Sequence, residues 1–167
     1  ISPDGTKMYV LRARSGSDSQ VSVVDIATSV MTSVADVGSN ALSMELSTDG
    51  SRLYVINSNA ANKNVVTVID TATKTIVGEP VLPTMSRAVT LNSTGSKAYV
   101  VGGSEGVSSP LSIVDTATFA VTNVPIDGTS GALYDVAVNA DGSRAYVVDF
   151  GADRVSVMYG GRIVESA

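Results

Sequence analysis

Ser47-Thr48-Asp49-Gly50-Ser51-Arg52-Leu53-Tyr54-Val55-Ile56-Asn57, followed by Val65-Val66-Thr67-Val68-Ile69-Asp70-Thr71-Ala72-Thr73, decides the fold of this chain. The first four residues are a turn cluster: glycine supplies a positive φ and aspartate can bond its own backbone two residues on. Arg52 to Asn57 and Val65 to Asp70 are rich in β-branched and aromatic residues and read as strands. Thr71-Ala72-Thr73-Lys74 turns the chain again and Thr75-Ile76-Val77 opens a further strand. On the N-terminal side, Ala41 to Leu46 alternates apolar and polar residues, the period of a half-buried strand. Pro80 and Pro83 interrupt the pattern. Residues 41–85 therefore spell four short antiparallel strands joined by tight turns.

The unit repeats. Tyr9-Val10, Tyr54-Val55, Tyr99-Val100 and Tyr146-Val147 are spaced by 45, 45 and 47 residues, and Asp4-Gly5, Asp49-Gly50, Thr94-Gly95 and Asp141-Gly142 precede them. Val21-Ser22-Val23-Val24-Asp25 and Leu111-Ser112-Ile113-Val114-Asp115 match Val66 to Asp70, and each aspartate leads into Ile26-Ala27-Thr28, Thr71-Ala72-Thr73 or Thr116-Ala117-Thr118. A fixed period of roughly 40–50 residues marks repeated supersecondary units. In the last unit Tyr159 stands where aspartate is expected and Gly160-Gly161 replaces the threonine turn. Terminal repeats are commonly atypical in this way.

The repeat resembles the YVTN β-propeller family, known from surface-layer-like and lactonase-like proteins. The motif stands here as Tyr54-Val55-Ile56-Asn57, with looser copies at Tyr9, Tyr99 and Tyr146. The resemblance covers essentially the whole chain. It implies an all-β fold of propeller blades, each of four antiparallel strands, over a single partial domain 1–167. The blades are expected at about 1–40, 41–85, 86–131 and 132–167. The first unit begins at its second strand, so fifteen strands are expected, with the innermost strand of blade one missing. Propellers typically close with four to eight blades; this chain reads as an open arc or part of a larger ring. Uncovered terminal blade faces would favour a partner, either a second copy completing a ring or another protein.

Composition narrows the function. With 44% hydrophobic and 16% charged residues the chain is too apolar for a disordered segment. No apolar run approaches the ~20 residues of a membrane-spanning helix, and Ile1-Ser2-Pro3-Asp4-Gly5 already belongs to the repeat, so no signal peptide is read within these residues. The net charge of −5 and scattered basic residues disfavour nucleic acid and anionic membranes. There is no cysteine and no histidine. Disulfides, thiolate chemistry and imidazole acid–base or metal chemistry are thus closed to the chain. The histidine-ligated copper or haem of redox relatives could not be built, and no cofactor is expected. Calcium or magnesium would need only oxygen ligands.

Two sets of residues invite a functional reading. Asp25, Asp70 and Asp115 are the most regular acids, read either as carboxylate ligands or as acceptors for the backbone of the following turn. Their recurrence in separate blades favours the turn. The repeated tyrosines read as blade packing. Sequence variation concentrates instead in residues 12–20, 58–64, 102–109 and 150–153, and in the links 80–86 and 127–132. The resemblance puts all of these on one face. Arg12, Arg14, Asn59, Asn62, Lys63, Arg87, Glu105, Asp149 and Asp153 are the polar groups there, and Tyr134 breaks the tyrosine register at the start of an inner strand, where it is placed to face a channel. Loops on a rigid scaffold carry binding more often than strands do; the plain alternative is solvated loop. Gly102-Gly103-Ser104-Glu105-Gly106 lacks the Gly-Lys-Ser/Thr ending and the following helix of a phosphate loop. The expected function is a non-catalytic interaction scaffold, secreted or on a cell surface. The alternatives are a metal-dependent or lactonase-like hydrolase on the same scaffold, and a piece of a larger propeller that assembles with another copy.

Overall fold

The computed structural model describes residues 1–13, 18–59, 61, 63–104, 106–126, 128 and 131–166, with the side chains of residues 165 and 166 excepted. Fifteen strands run through them. The first sheet holds β1 (Lys7–Arg12), β2 (Ser19–Asp25) and β3 (Met31–Val37); the second β4 (Ser39–Leu46), β5 (Arg52–Ser58), β6 (Asn64–Asp70) and β7 (Thr75–Gly78). The third holds β8 (Ser86–Leu91), β9 (Lys97–Gly102), β10 (Leu111–Asp115) and β11 (Val121–Val124); the fourth β12 (Leu133–Val138), β13 (Arg144–Asp149), β14 (Arg154–Tyr159) and β15 (Arg162–Ser166). Each sheet is an antiparallel meander in chain order, the form of a propeller blade. The first blade has three strands and opens at the tyrosine-bearing strand that is second in the other three. By contacts the chain forms two compact units, Ile1–Val81 and Leu82–Ala167, each of two blades.

Side chains pin the turns. Asp49 Oδ1 accepts from the Ser51 N–H at 3.0 Å and the Ser47 hydroxyl at 2.6 Å, while the Arg52 N–H donates to Ser47 Oγ at 2.9 Å. Asp4 does the same with Thr6 and Ser2. Gly50 sits at φ +73°, the left-handed conformation this turn requires. In the third blade, where aspartate is absent, Asn92 Oδ1 accepts from the Lys97 N–H at 3.0 Å. The second turn family is as regular: the N–H groups of Thr28, Thr73 and Thr118 donate to Asp25, Asp70 and Asp115, each at 2.8 Å. One residue on, Ser29, Lys74 and Phe119 adopt φ of 58°, 59° and 60°, each donating its N–H to the carbonyl of the same aspartate.

Packing follows the alternation of the tyrosine strand. In the first unit Tyr9, Leu11, Val21 and Val23 of blade one share a core with Leu53, Val55 and Ile69 of blade two. In the second unit Tyr99, Val101 and Leu111 of blade three share one with Val136, Ala145, Val147 and Met158 of blade four. The tyrosine face of one blade thus lies on the opposite-parity face of the next. Each fully buried Val, Leu or Ile contributes roughly 1.5–3 kcal/mol. Tyr54 and Tyr99 are buried, whereas Tyr146 is 38% exposed. The packing role expected of all four tyrosines therefore does not extend to blade four, whose Tyr146 stays outside the core of its own unit.

The turn carboxylates make stability pH-dependent. Hydrogen bonds from Ser2 and Thr6 hold the Asp4 carboxyl at about 2, and those from Ser47 and Ser51 hold Asp49 at about 2. Asp25, Asp70, Asp115 and Asp141 are lowered by the same kind of bonds from Thr28, Thr73, Thr118 and Ser143. A depressed folded-state value contributes stability that is complete above the ordinary carboxylate pKa of about 3.9 and is lost as pH falls through the folded value. Glu45 has the opposite sign, since partial burial raises its carboxyl. The melting temperature is expected to fall progressively between about pH 4 and about pH 2. Melts followed by circular dichroism check this, and Asp4→Asn with Asp49→Asn is expected to flatten the slope.

Candidate functional site

Three inner strands carry a break in register near their start. Between β8 and β9 the pairing passes from Ser86↔Gly102 to Ala88↔Val101, leaving Arg87 as the extra residue. Between β12 and β13 it passes from Leu133↔Asp149 to Asp135↔Val148, leaving Tyr134. A wider slip between Ser39 and Ser43 contains Leu42. Leu42, Arg87 and Tyr134 keep the 45- and 47-residue spacings of the repeat. A bulge re-aims one side chain out of the ladder. Ser86 and Leu133 beside the bulges are buried, yet Tyr134 is 45% exposed, Leu42 54% exposed and Arg87 half-buried. The repeat therefore presents one outward residue per inner strand at one register, and the copies differ in what they place there.

Glycines let the backbone pass at this level. A Cβ on Gly102 would overlap the Met85 carbonyl and the Ser86 Cα, and one on Gly131 would overlap the carbonyls of Val107 and Ser104. The Gly103 N–H donates to the Met85 carbonyl at 2.6 Å. The glycine run is a chain crossing.

The second unit brings three of these side chains together. The Arg87 guanidinium lies over the Tyr134 ring, 4.6 Å from its centroid. Tyr134 in turn meets Phe150, with centroids 4.9 Å apart and planes at 44°. Such contacts are worth about 0.5–1.5 kcal/mol each. Phe150 opens a single 3-10 turn, Phe150–Ala152, that follows β13 directly; its N–H is held by the Ala132 carbonyl at 3.1 Å and its side chain is 63% exposed. Sequence reasoning placed Phe150 in a variable loop without singling it out. The available signal was a large aromatic residue in a short loop whose other members, Gly151, Ala152 and Asp153, are small or charged.

Beside Phe150 a shallow hollow of about 270 Å³ is lined by Val148, Asp149, Phe150, Asp153, Arg154 and Val155. Asp149 is fully buried and its Oδ2 lies 3.4 Å from Arg154 Nε, its cross-strand neighbour. Asp153 is exposed and left-handed, at φ 51°. Arg154 was not anticipated; it marks Asp149 as half of an ion pair.

The remaining candidates separate. Arg12 lies exposed at the end of β1, opposite Gln20. Asn59 accepts the N–H groups of Ala61 and Lys63 at 3.1 and 3.2 Å and so closes its own loop, with Lys63 exposed beside it. These three belong to the first unit, while Arg87, Tyr134, Asp149 and Asp153 belong to the second. Arg14, Asn62 and Glu105 lie outside the described residues. Asp25, Asp70 and Asp115 sit in their turns, in three different blades. Among the described residues no three acidic side chains come together as a metal-binding group.

No protein-family model matches the chain, and no curated protein matches it. Solved structures do. A chain of Kuenenia stuttgartiensis hydrazine synthase superimposes with a TM-score of 0.80 at 22% identity, over 99% of this chain and 47% of that one. The likeness is one of fold. This chain spans about half the length of that neighbour, and 532 solved chains match in all, so the scaffold is too widely shared to name an activity.

Removing one partner of a buried ion pair strands the other charge. Asp149→Ala is expected to destabilise the second unit by about 3 kcal/mol, the lower end of the usual cost because Arg154 keeps some contact with water. Denaturant titration measures this, and the exposed-site variant Phe150→Ala is expected to change the midpoint little.

Proposed function

We propose that the chain is a non-catalytic propeller scaffold of the YVTN kind. It binds a ligand or protein through the face that carries Arg87, Tyr134, Phe150 and Asp153. The observation that carries the reading is the bulge register, where a regular backbone offers variable, outward side chains and two of them stack. The chemistry of the carboxylates agrees with it. Every lowered aspartate is accounted for by turn hydrogen bonds, and the buried carboxylate Asp149 is occupied by Arg154. The family resemblance and the Ser- and Thr-rich loops support a place outside the cell, secreted or at a cell surface. A thermal-shift panel of small molecules, glycans and peptides tests the reading. At least one compound is expected to stabilise the wild type and not the Arg87→Ala/Tyr134→Ala variant, with no product formed. Turnover of a lactone or ester with calcium or magnesium, lost on Asp153→Ala, would replace it with the hydrolase reading.

A second observation favours self-association. On blade four Tyr146, Val148, Val155 and Tyr159 form an exposed face. The corresponding Tyr99 face of blade three is covered by Ala145, Val147 and Met158. Blade one offers the equivalent cover in Met8, Val10 and Val24, none of them fully buried. A second copy can therefore seat head to tail by repeating a contact the chain already makes. Light scattering across micromolar concentrations is expected to show a dimer that Tyr146→Asp dissociates; a monomer throughout removes this reading.

A further inference from the structure

Arg87, Tyr134 and Phe150 are spare to the fold. Arg87 and Tyr134 are extra residues in their ladders, so no cross-strand partner holds either, and Phe150 leaves most of its ring in water. Arg87 makes no ion pair among the described residues, and its Nε is shielded from solvent with no hydrogen-bond partner in the protein. The side chain as a whole is only half-buried, no carboxylate among the described residues pairs with it, and an anion in reach of the guanidinium fork gains a charge-assisted hydrogen bond.

We propose that Arg87, Tyr134, Phe150 and Asp153 form a subsite for an acidic pyranose, a sugar ring that carries one carboxylate. The inference rests on the reading of the chain as a binding module and names the ligand class of that site. The platform is open, so a bound molecule is covered on one side only. A flat aromatic ligand would leave its second face wet and forfeit half of its hydrophobic gain. A pyranose suits the geometry: its C–H face lies on Phe150, with the tilted Tyr134 ring at its edge, while its hydroxyls stay in water or donate to the Asp153 carboxylate that lines the same hollow as Phe150. The charge selects an acid with a single negative group. The guanidinium fork of Arg87 matches a carboxylate, whereas Arg154 is held by Asp149 and offers no second cationic seat. The net charge of −5 opposes polyanions such as oligophosphates.

Calorimetric titration with methyl glucuronide, methyl glucoside and acetate tests the proposal on the intact chain. The glucuronide is expected to saturate one site. The glucoside and acetate should each bind at least about tenfold more weakly, the loss that accompanies one charge-assisted hydrogen bond or the ring contact. Arg87→Gln should erase the preference for the acid over the neutral sugar, and Phe150→Ala should weaken both sugars alike, with melts confirming that each variant is folded. Acetate binding as tightly as the glucuronide would reduce the site to an anion contact and overturn the proposal, as would an affinity unchanged in Phe150→Ala. If no saccharide binds while another ligand stabilises the protein through Arg87 and Tyr134, the saccharide inference falls and the binding-module reading stands. If nothing binds through these residues, both fall.

Discussion

The structure depends on one contact made twice: the tyrosine-bearing face of a blade laid on the valine-bearing face of the next. A two-residue alternation, Leu53-Tyr54-Val55 or Ala98-Tyr99-Val100, gives the second strand an apolar side chain on each face, so the strand is a good neighbour on both sides. A single four-stranded meander has too little core to stand alone. Stacking lets each blade borrow the face of another, which is why each compact unit contains two blades and a shared core. The aspartate turns serve this contact. By clamping the ends of the strands with several hydrogen bonds each, they set the register that keeps tyrosine on one face and valine on the other.

That rigidity gives the bulges their meaning. In a strand so strictly ordered, an inserted residue has nowhere to pack and is turned outward at the same register of the repeat in each of the three inner strands. The scaffold therefore separates two duties. Repeated positions hold the blades together, and the bulge register and the loops next to it are free to differ. Arg87 and Tyr134 meet because adjacent blades of one unit present the same register side by side, and Phe150 joins them because the chain leaves β13 at that level.

Much of the fold was legible in the chain. The period, the strand count of fifteen, the three-stranded first blade and the turn residues all follow from local rules: alternation, β-branched runs, and glycine or aspartate where a turn demands them. The site was legible only in part. Arg87 could be named as a polar group of the variable face and Tyr134 as a break in the tyrosine register, but nothing local says that a guanidinium will lie on that ring. Phe150 carries no local signal beyond its size, because single apolar residues are common on protein surfaces. Asp149 read as a loop carboxylate, since its burial and its pairing with Arg154 arise across two strands.

The sequence by itself determined that this chain is a set of four related blades, which residues turn them, and that cysteine and histidine chemistry is absent, because these depend on short-range pattern and composition. Only the tertiary structure decided which irregular residues come together. Register slips move single side chains out of the ladder, and the neighbours they then meet are set by blade-on-blade packing between residues as far apart as 87 and 134.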